Sequence, residues 1–160
     1  MGAGKSTVGP LVAARAGCSF LDLDQLIVER WQEGISKTFQ AHGEAVFRER
    51  EAQVLHEVAL MGGRRVVAAG GGVPLRSDNR TRLHENFWVV WLDGPTEILY
   101  ARAEGPERPL AGDGWAAFRG RAEERRPLYA DLADLRVDVA EVRPDWAAAL
   151  IGDWWLEQEG

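Results

Sequence analysis

Gly2-Ala3-Gly4-Lys5-Ser6-Thr7 is a glycine-rich turn that runs directly into a helical pattern, with Val8, Leu11, Val12 and Arg15 at helical spacing up to Ala16. The form G-x-x-x-x-G-K-[ST] describes a turn whose backbone N–H groups wrap phosphate oxygens at a helix N-terminus. In that role Lys5 neutralises the β and γ phosphates, and Ser6 offers a hydroxyl to Mg2+. With the second glycine of the form at Gly4, the first would stand before Met1, as would the strand that feeds such a loop. The position predicts that Met1 is an internal methionine or that the chain has been shortened. The strand so lost would have lain in the sheet centre, with a ladder partner on each side.

Outward from this turn, strand and helix alternate. Ser19 to Asp22 reads as a short strand and Asp24 to Gln32 as a helix. Ser36 and Phe39 begin a second helix that Gly43 interrupts before an amphipathic segment from Glu44 to Leu60, with Val54, Leu55 and Val58 on one face. Arg65 to Ala69 reads as a buried strand opening into Gly70, Gly71 and Gly72, and Asn79 to Glu85 as a helix. Phe87 to Leu92 reads as a central parallel strand with a turn at Asp93-Gly94-Pro95, followed by a helix from Thr96 to Ala103. Gly105 to Gly114 has the glycine and proline content of a lid. Trp115 to Tyr129 returns to helix and is expected to end near Pro127. Leu135 to Val139 is the last strand, and Pro144 suits the first turn of a final helix. The pattern predicts an α/β parallel sheet covered on both faces, in a single domain spanning residues 1 to 160.

Bulk properties narrow the partners. A chain of 160 residues with 46% apolar composition fits one compact domain, large enough to bury roughly 70% of its unfolded surface. The net charge of -6 supplies no overall positive field to gather a nucleic acid backbone. Arginines near Arg48, Arg108 and Arg119 to Arg126 suit a small anionic ligand, or else a solvated helix face. Cys18 is the lone cysteine, and the scattered His42, His56 and His84 match no zinc spacing. No apolar run approaches the ~20 residues needed to cross a bilayer. A cytoplasmic protein acting on small molecules is expected, with no membrane partner.

Leu21-Asp22-Leu23-Asp24 places two carboxylates on one side of a strand end, where ligands of open parallel sheets bind. They read as one group toward Mg2+ and one toward an acceptor hydroxyl, or as a cap for the following helix. Taken with Phe47-Arg48, Gly70-Gly71-Gly72, Arg108-Pro109-Leu110 and Arg125-Arg126-Pro127-Leu128-Tyr129, this order resembles shikimate kinase over residues 2 to 150. The resemblance implies a P-loop NTPase fold of three α/β/α layers, similar to nucleoside monophosphate kinases. It also implies phosphorylation of the shikimate 3-hydroxyl by ATP with Mg2+, on the route to chorismate and aromatic amino acids, by a monomer.

Carried over by residue, Gly2, Ala3, Gly4, Lys5, Ser6 and Thr7 hold the nucleotide, with Ser6 and Asp22 on Mg2+. Asp24 is the base at the acceptor hydroxyl. Arg48 and Arg125 clamp the substrate carboxylate, a bidentate task for which guanidinium is suited; a shift of the helix would exchange Arg125 for Arg126. Gly70, Gly71 and Gly72 bring backbone to the substrate, with Gly71 the contact. Arg108 is the lid arginine over the transferring phosphoryl group, and Arg102 and Arg143 are candidates at adenine. A gluconate kinase-like enzyme, or a nucleotide-binding module without turnover, are the competing readings. Trp88, Trp91, Trp146, Trp154 and Trp155 are assigned to packing, with Trp154-Trp155-Leu156 as a partly exposed patch.

Overall fold

The computed structural model describes residues 2–103 and 114–158. Four parallel strands and seven helices alternate among them. In chain order they are α1 (Lys5–Ala16), β1 (Ser19–Asp22), α2 (Leu23–Trp31), α3 (Ile35–Leu60), β2 (Arg65–Ala68), a 3-10 turn (Val73–Leu75) and α4 (Ser77–Asn86). There follow β3 (Val90–Asp93), α5 (Thr96–Ala103), α6 (Gly114–Leu132), β4 (Leu135–Asp138) and α7 (Pro144–Gln158). The expected lid and Arg108 lie outside the described residues.

The strands form two parallel pairs. β1 pairs with β2 from Ser19↔Arg65 to Asp22↔Ala68, and β3 pairs with β4 from Val90↔Leu135 to Asp93↔Asp138, both parallel. Among the described residues no ladder joins β2 to β3. Phe87 to Val89 do not form the expected start of β3, because the Asp134 carboxylate accepts the Val89 N–H at 2.7 Å and Asp134 N–H donates to the Val89 carbonyl at 2.9 Å. That local lock takes the place of ladder pairing.

Two apolar clusters hold the layers together. Leu23, Ile27, Phe47, Leu55, Val58, Val73 and Leu83 gather on one side, with Val67 and Val89 against them. Val8, Val12, Val137, Ala147 and Ile151 gather on the other, with Val66 and Val90 against them. Neighbouring strand residues thus face opposite layers, as a pleat requires. Val54, Leu55 and Val58 are buried as their spacing predicts.

Helix boundaries show where punctuation is obeyed. Gly43 at φ 82° and ψ 171° breaks α3 internally, and Pro144 begins α7. Pro127, by contrast, lies inside α6 and does not end it. The turn beyond it is tethered to the core by buried Leu132 and by the Tyr129 hydroxyl, which donates to the Gly71 carbonyl at 2.6 Å. Those contacts outweigh the backbone hydrogen bond that proline removes. The tryptophans also divide. Trp88 and Trp146 are exposed rather than core, Trp88 meeting Trp154 edge-on at 6.0 Å. No described helix is long and apolar enough to cross a membrane.

Candidate active site

The glycine turn is a left-handed entry to α1. Gly4 has φ 82° and its carbonyl accepts from Thr7 and Val8 N–H at 3.0 and 2.8 Å, which closes the first turn of α1. Gly2, at φ 72°, packs so closely on the Leu99 carbonyl that any Cβ there would collide with it. Gly2 and Ala3 are buried, and Lys5, Ser6 and Thr7 are partly or fully open to solvent. A glycine turn feeding a helix N-terminus, with a lysine beside it, is a geometry that can receive phosphates.

Asp22 ends β1 and performs two tasks. Its Oδ1 accepts from Asp24 N–H at 3.0 Å and from Gln25 N–H at 3.4 Å, capping α2. Its Oδ2 lies 3.5 Å from the Ser6 hydroxyl. The capping reading of Asp22 holds, and its other oxygen with the Ser6 hydroxyl is a pair of hard oxygen donors of the kind that suits Mg2+. The described residues contain no denser cluster of metal-ligating side chains.

Asp24 follows, half-buried beside the glycine loop. A Cβ added at Gly70 would stand 3.2 Å from Asp24 Oδ1 and 2.9 Å from Glu51 Oε1, and one added at Gly72 would collide with the Arg48 guanidinium. Gly70 and Gly72 therefore let backbone approach two carboxylates and a guanidinium at once. Arg48 donates to Glu51 at 2.9 Å and to Glu44 at 3.0 Å, its side chain 13% exposed. Burial pushes the Asp24 carboxyl above the ordinary aspartate range and the Asp22 charge pushes it the same way, while Lys5 and Arg48 pull it down. Glu51 is likewise raised by burial and by Asp24, against Arg48 and Arg125.

Arg125 is buried and bears on this same centre, through Glu51 and through a hydrogen bond with Tyr129. Arg126 turns the other way. It donates to Asp93 at 2.9 and 3.0 Å and to the Gly94 carbonyl at 3.1 Å. Of the two arginines left open by the sequence, Arg125 is the one beside Glu51 and Tyr129. Arg102 donates to the Val139 and Ala140 carbonyls at 2.6 and 3.1 Å, and Arg143 pairs with Asp145 on the surface at 2.8 Å. Both stand at the loop after β4, away from the Asp24 cluster.

Sequence reasoning missed Glu51 and Tyr129. Glu51 was legible in principle, since it falls three residues after Arg48 on one helix face. Tyr129 closes the Arg125-Arg126-Pro127-Leu128-Tyr129 motif, but its contact had no signal, because its partner is the carbonyl of Gly71, 58 positions away.

Comparisons with known proteins give a consistent result. The family model described as shikimate kinase matches residues 1–154. A shikimate kinase from Nostoc punctiforme is 43% identical over 144 residues, covering 88% of this chain and 78% of that protein. One from Symbiobacterium thermophilum is 42% identical over 142 residues, covering 86% and 81%. Among solved structures, shikimate kinase from Acinetobacter baumannii in complex with shikimate superposes with a TM-score of 0.90 at 32% identity, covering 99% of this chain and 89% of that one.

Proposed function

The chain belongs to the shikimate kinase family, and we propose that the ATP-dependent phosphorylation of the shikimate 3-hydroxyl is carried in it by Asp24, Lys5, Arg48 and Arg125 around the Gly70–Gly72 loop. The observation that supports this assignment is the meeting of Asp24, Glu51 and Arg48 against that loop, with the charge of Lys5 reaching Asp24. A raised carboxyl on a half-buried aspartate has the proton affinity that a general base needs.

The acceptor carboxylate is received by the forked guanidiniums of Arg48 and Arg125, which fix the ring with its 3-hydroxyl toward Asp24. Gly71 presents backbone, held in place by the Tyr129 hydroxyl on its carbonyl. Asp24 takes the hydroxyl proton as the substrate oxygen bonds to the γ phosphorus. The bond from that phosphorus to the β–γ bridging oxygen breaks, and ADP leaves with its electron pair. Lys5 and the backbone of the glycine turn balance the charge of the phosphates. Ser6 and Asp22 would hold Mg2+, whose positive charge would offset the charge developing on the phosphates. Arg108 is assigned to the phosphoryl group from the lid, and Arg102 and Arg143 to the adenine end. The protein is read as a cytoplasmic monomer of one domain, without nucleic acid or membrane partners.

The test is ADP release with ATP and Mg2+ in the presence of shikimate or gluconate. Saturable release with shikimate alone is expected. Equal release with gluconate, or nucleotide binding without turnover in a folded protein, would overturn the assignment.

A further inference from the structure

Gly43 divides α3 into a first arm, residues 35–42, and a second, residues 44–60. Arg48 stands on the second arm, yet its guanidinium also lies over a ring of the first. Phe39 stacks on Phe47 with centroids 4.8 Å apart, and the Arg48 guanidinium is 6.0 Å from the Phe39 centroid and 5.2 Å from that of Phe47. Glu44, one of the two carboxylates that Arg48 meets, is the first residue past the break. A glycine in the left-handed region is a joint that backbone alone does not fix. The aim of Arg48 therefore depends on the angle between the arms.

The side chains that span the joint centre on Glu33, in the turn between α2 and α3. Its Oε2 accepts from the Arg50 guanidinium on the second arm at 2.9 Å and from the Thr38 hydroxyl on the first at 2.9 Å. His42 Nε2, next to the joint, lies 3.3 Å from the same oxygen. Arg50 closes the triangle by donating to the Thr38 oxygen at 3.1 Å. Thr38 is fully buried, and the Glu33 and Arg50 side chains are only 15% and 16% exposed. Arg50 also lies 5.2 Å over the ring of Trp31, which ends α2, the helix whose first turn carries Asp24. Gln32, just before Glu33, stands at φ 49°, a left-handed conformation that a residue with a side chain keeps where its surroundings impose it. The Arg50 and Thr38 donors pull the Glu33 carboxyl down to about 2, so the triangle stays charged at neutral pH.

We propose, resting on Arg48 as the acceptor's clamp, that Glu33 is a positioning residue for acceptor binding: by joining Thr38 to Arg50 across Gly43, it keeps Phe39 beneath the Arg48 guanidinium. Apolar side chains of the same volume would hold the arms together as firmly, because a buried ion pair gains little over them in net stability. What the three-cornered charged contact adds is a single geometry. Its loss leaves the arms folded but frees their angle, so that Arg48 is aimed at the acceptor carboxylate in only a fraction of molecules. Apparent acceptor affinity falls by that fraction. The nucleotide turn at Gly2–Thr7 is built on other elements and keeps its affinity.

Steady-state kinetics on Glu33→Gln, with shikimate and ATP varied in turn, tests this. The KM for shikimate should rise about 3–20-fold, with kcat and the KM for ATP within about twofold of the parent. Amide exchange should quicken at residues 35–42 and not in α6. Thr38→Val, which removes the hydroxyl and keeps the shape, should give a smaller rise of the same kind and serves if Glu33→Gln folds poorly. Phe39→Leu should raise the shikimate KM as well, and adding Glu33→Gln to it should raise it no further, because both act through one ring. Arg30→Ala breaks the exposed Arg30–Glu57 pair, which links α2 to the second arm alone, and should leave the shikimate KM within about twofold. An unchanged shikimate KM in folded Glu33→Gln, equal rises in both KM values, effects of Glu33→Gln and Phe39→Leu that multiply, or an equal rise in Arg30→Ala would overturn the proposal. Arg48→Ala separates the two levels. If it too leaves the shikimate KM unmoved, the role of Arg48 has failed, whereas a rise there with none in Glu33→Gln removes Glu33 alone.

Discussion

Two buried acidic centres lie at the carboxyl ends of the two strand pairs, and they are built on opposite principles. At the end of β3, Asp93 is 2% exposed and is met by Arg126 at 2.9 Å and Arg136 at 2.6 Å, both guanidiniums also lying over the Trp91 ring at 5.4 and 5.1 Å. At the end of β1 and β2, Asp24 and Glu51 share the neighbourhood of Arg48 and Arg125, and both carboxyls are raised by burial and by an acidic neighbour. The first centre gives one acid two cations and is complete as it stands. The second has two acids and two guanidiniums, and both its acids are raised above their ordinary range. Completeness marks a piece of the fold, whereas tension in an open cleft marks a place for a ligand.

Substitution of each acid would sharpen this contrast. For Asp24→Asn, kcat should fall about 10^2–10^4-fold, with ATP affinity within about twofold of the parent and thermal stability unchanged or higher, because a destabilising charge is gone. Steady-state kinetics with calorimetry would check both. For Asp93→Asn, kinetics should hold while stability falls by about 2–3 kcal/mol, below the full cost of breaking a buried pair because both guanidiniums reach solvent. Denaturant unfolding would measure that. If Asp93→Asn abolished turnover without loss of stability, the division between the two centres would fail.

Smaller effects refine it. Removing the Tyr129 hydroxyl by Tyr129→Phe should cost about 0.5–1.5 kcal/mol at the Gly71 carbonyl, seen as a several-fold higher KM for shikimate with KM for ATP unmoved. The acid limb of kcat/KM should fall at a pH above the ~3.9 of an ordinary aspartate. The sign follows from the raised Asp24 carboxyl, which picks up its proton on acidification sooner than a free one and ceases to act as base. A limb at or below the ordinary aspartate value would contradict the role given to burial.

Much of this was legible in the chain because its punctuation is local. Gly4, Asp22, Gly43 and Pro144 each act on their own few residues, and each sits where its chemistry predicts. Pro127 failed as a helix terminator because contacts from Leu132 and Tyr129 hold the turn beyond it. β3 began late because Asp134, distant in sequence, captures the backbone of Val89. Asp93, read from sequence as a turn residue, became a buried anchor only through arginines 33 and 43 positions further on. For the candidate site, the motifs named Asp24, Arg48 and Arg125, but the raised carboxyl of Asp24 arises first from burial, which no motif spells out.

The central claim is that the acceptor binds at the tense centre and not at the complete one. Isothermal titration with shikimate, in the presence of ADP and Mg2+, on the parent chain, Arg48→Ala and Asp93→Asn tests it most directly. Affinity should fall at least about 30-fold for Arg48→Ala, as expected when one partner of a buried charged contact is removed, and change less than about twofold for Asp93→Asn. Equal losses in the two variants, or an Arg48→Ala protein that folds and binds shikimate like the parent, would contradict the account.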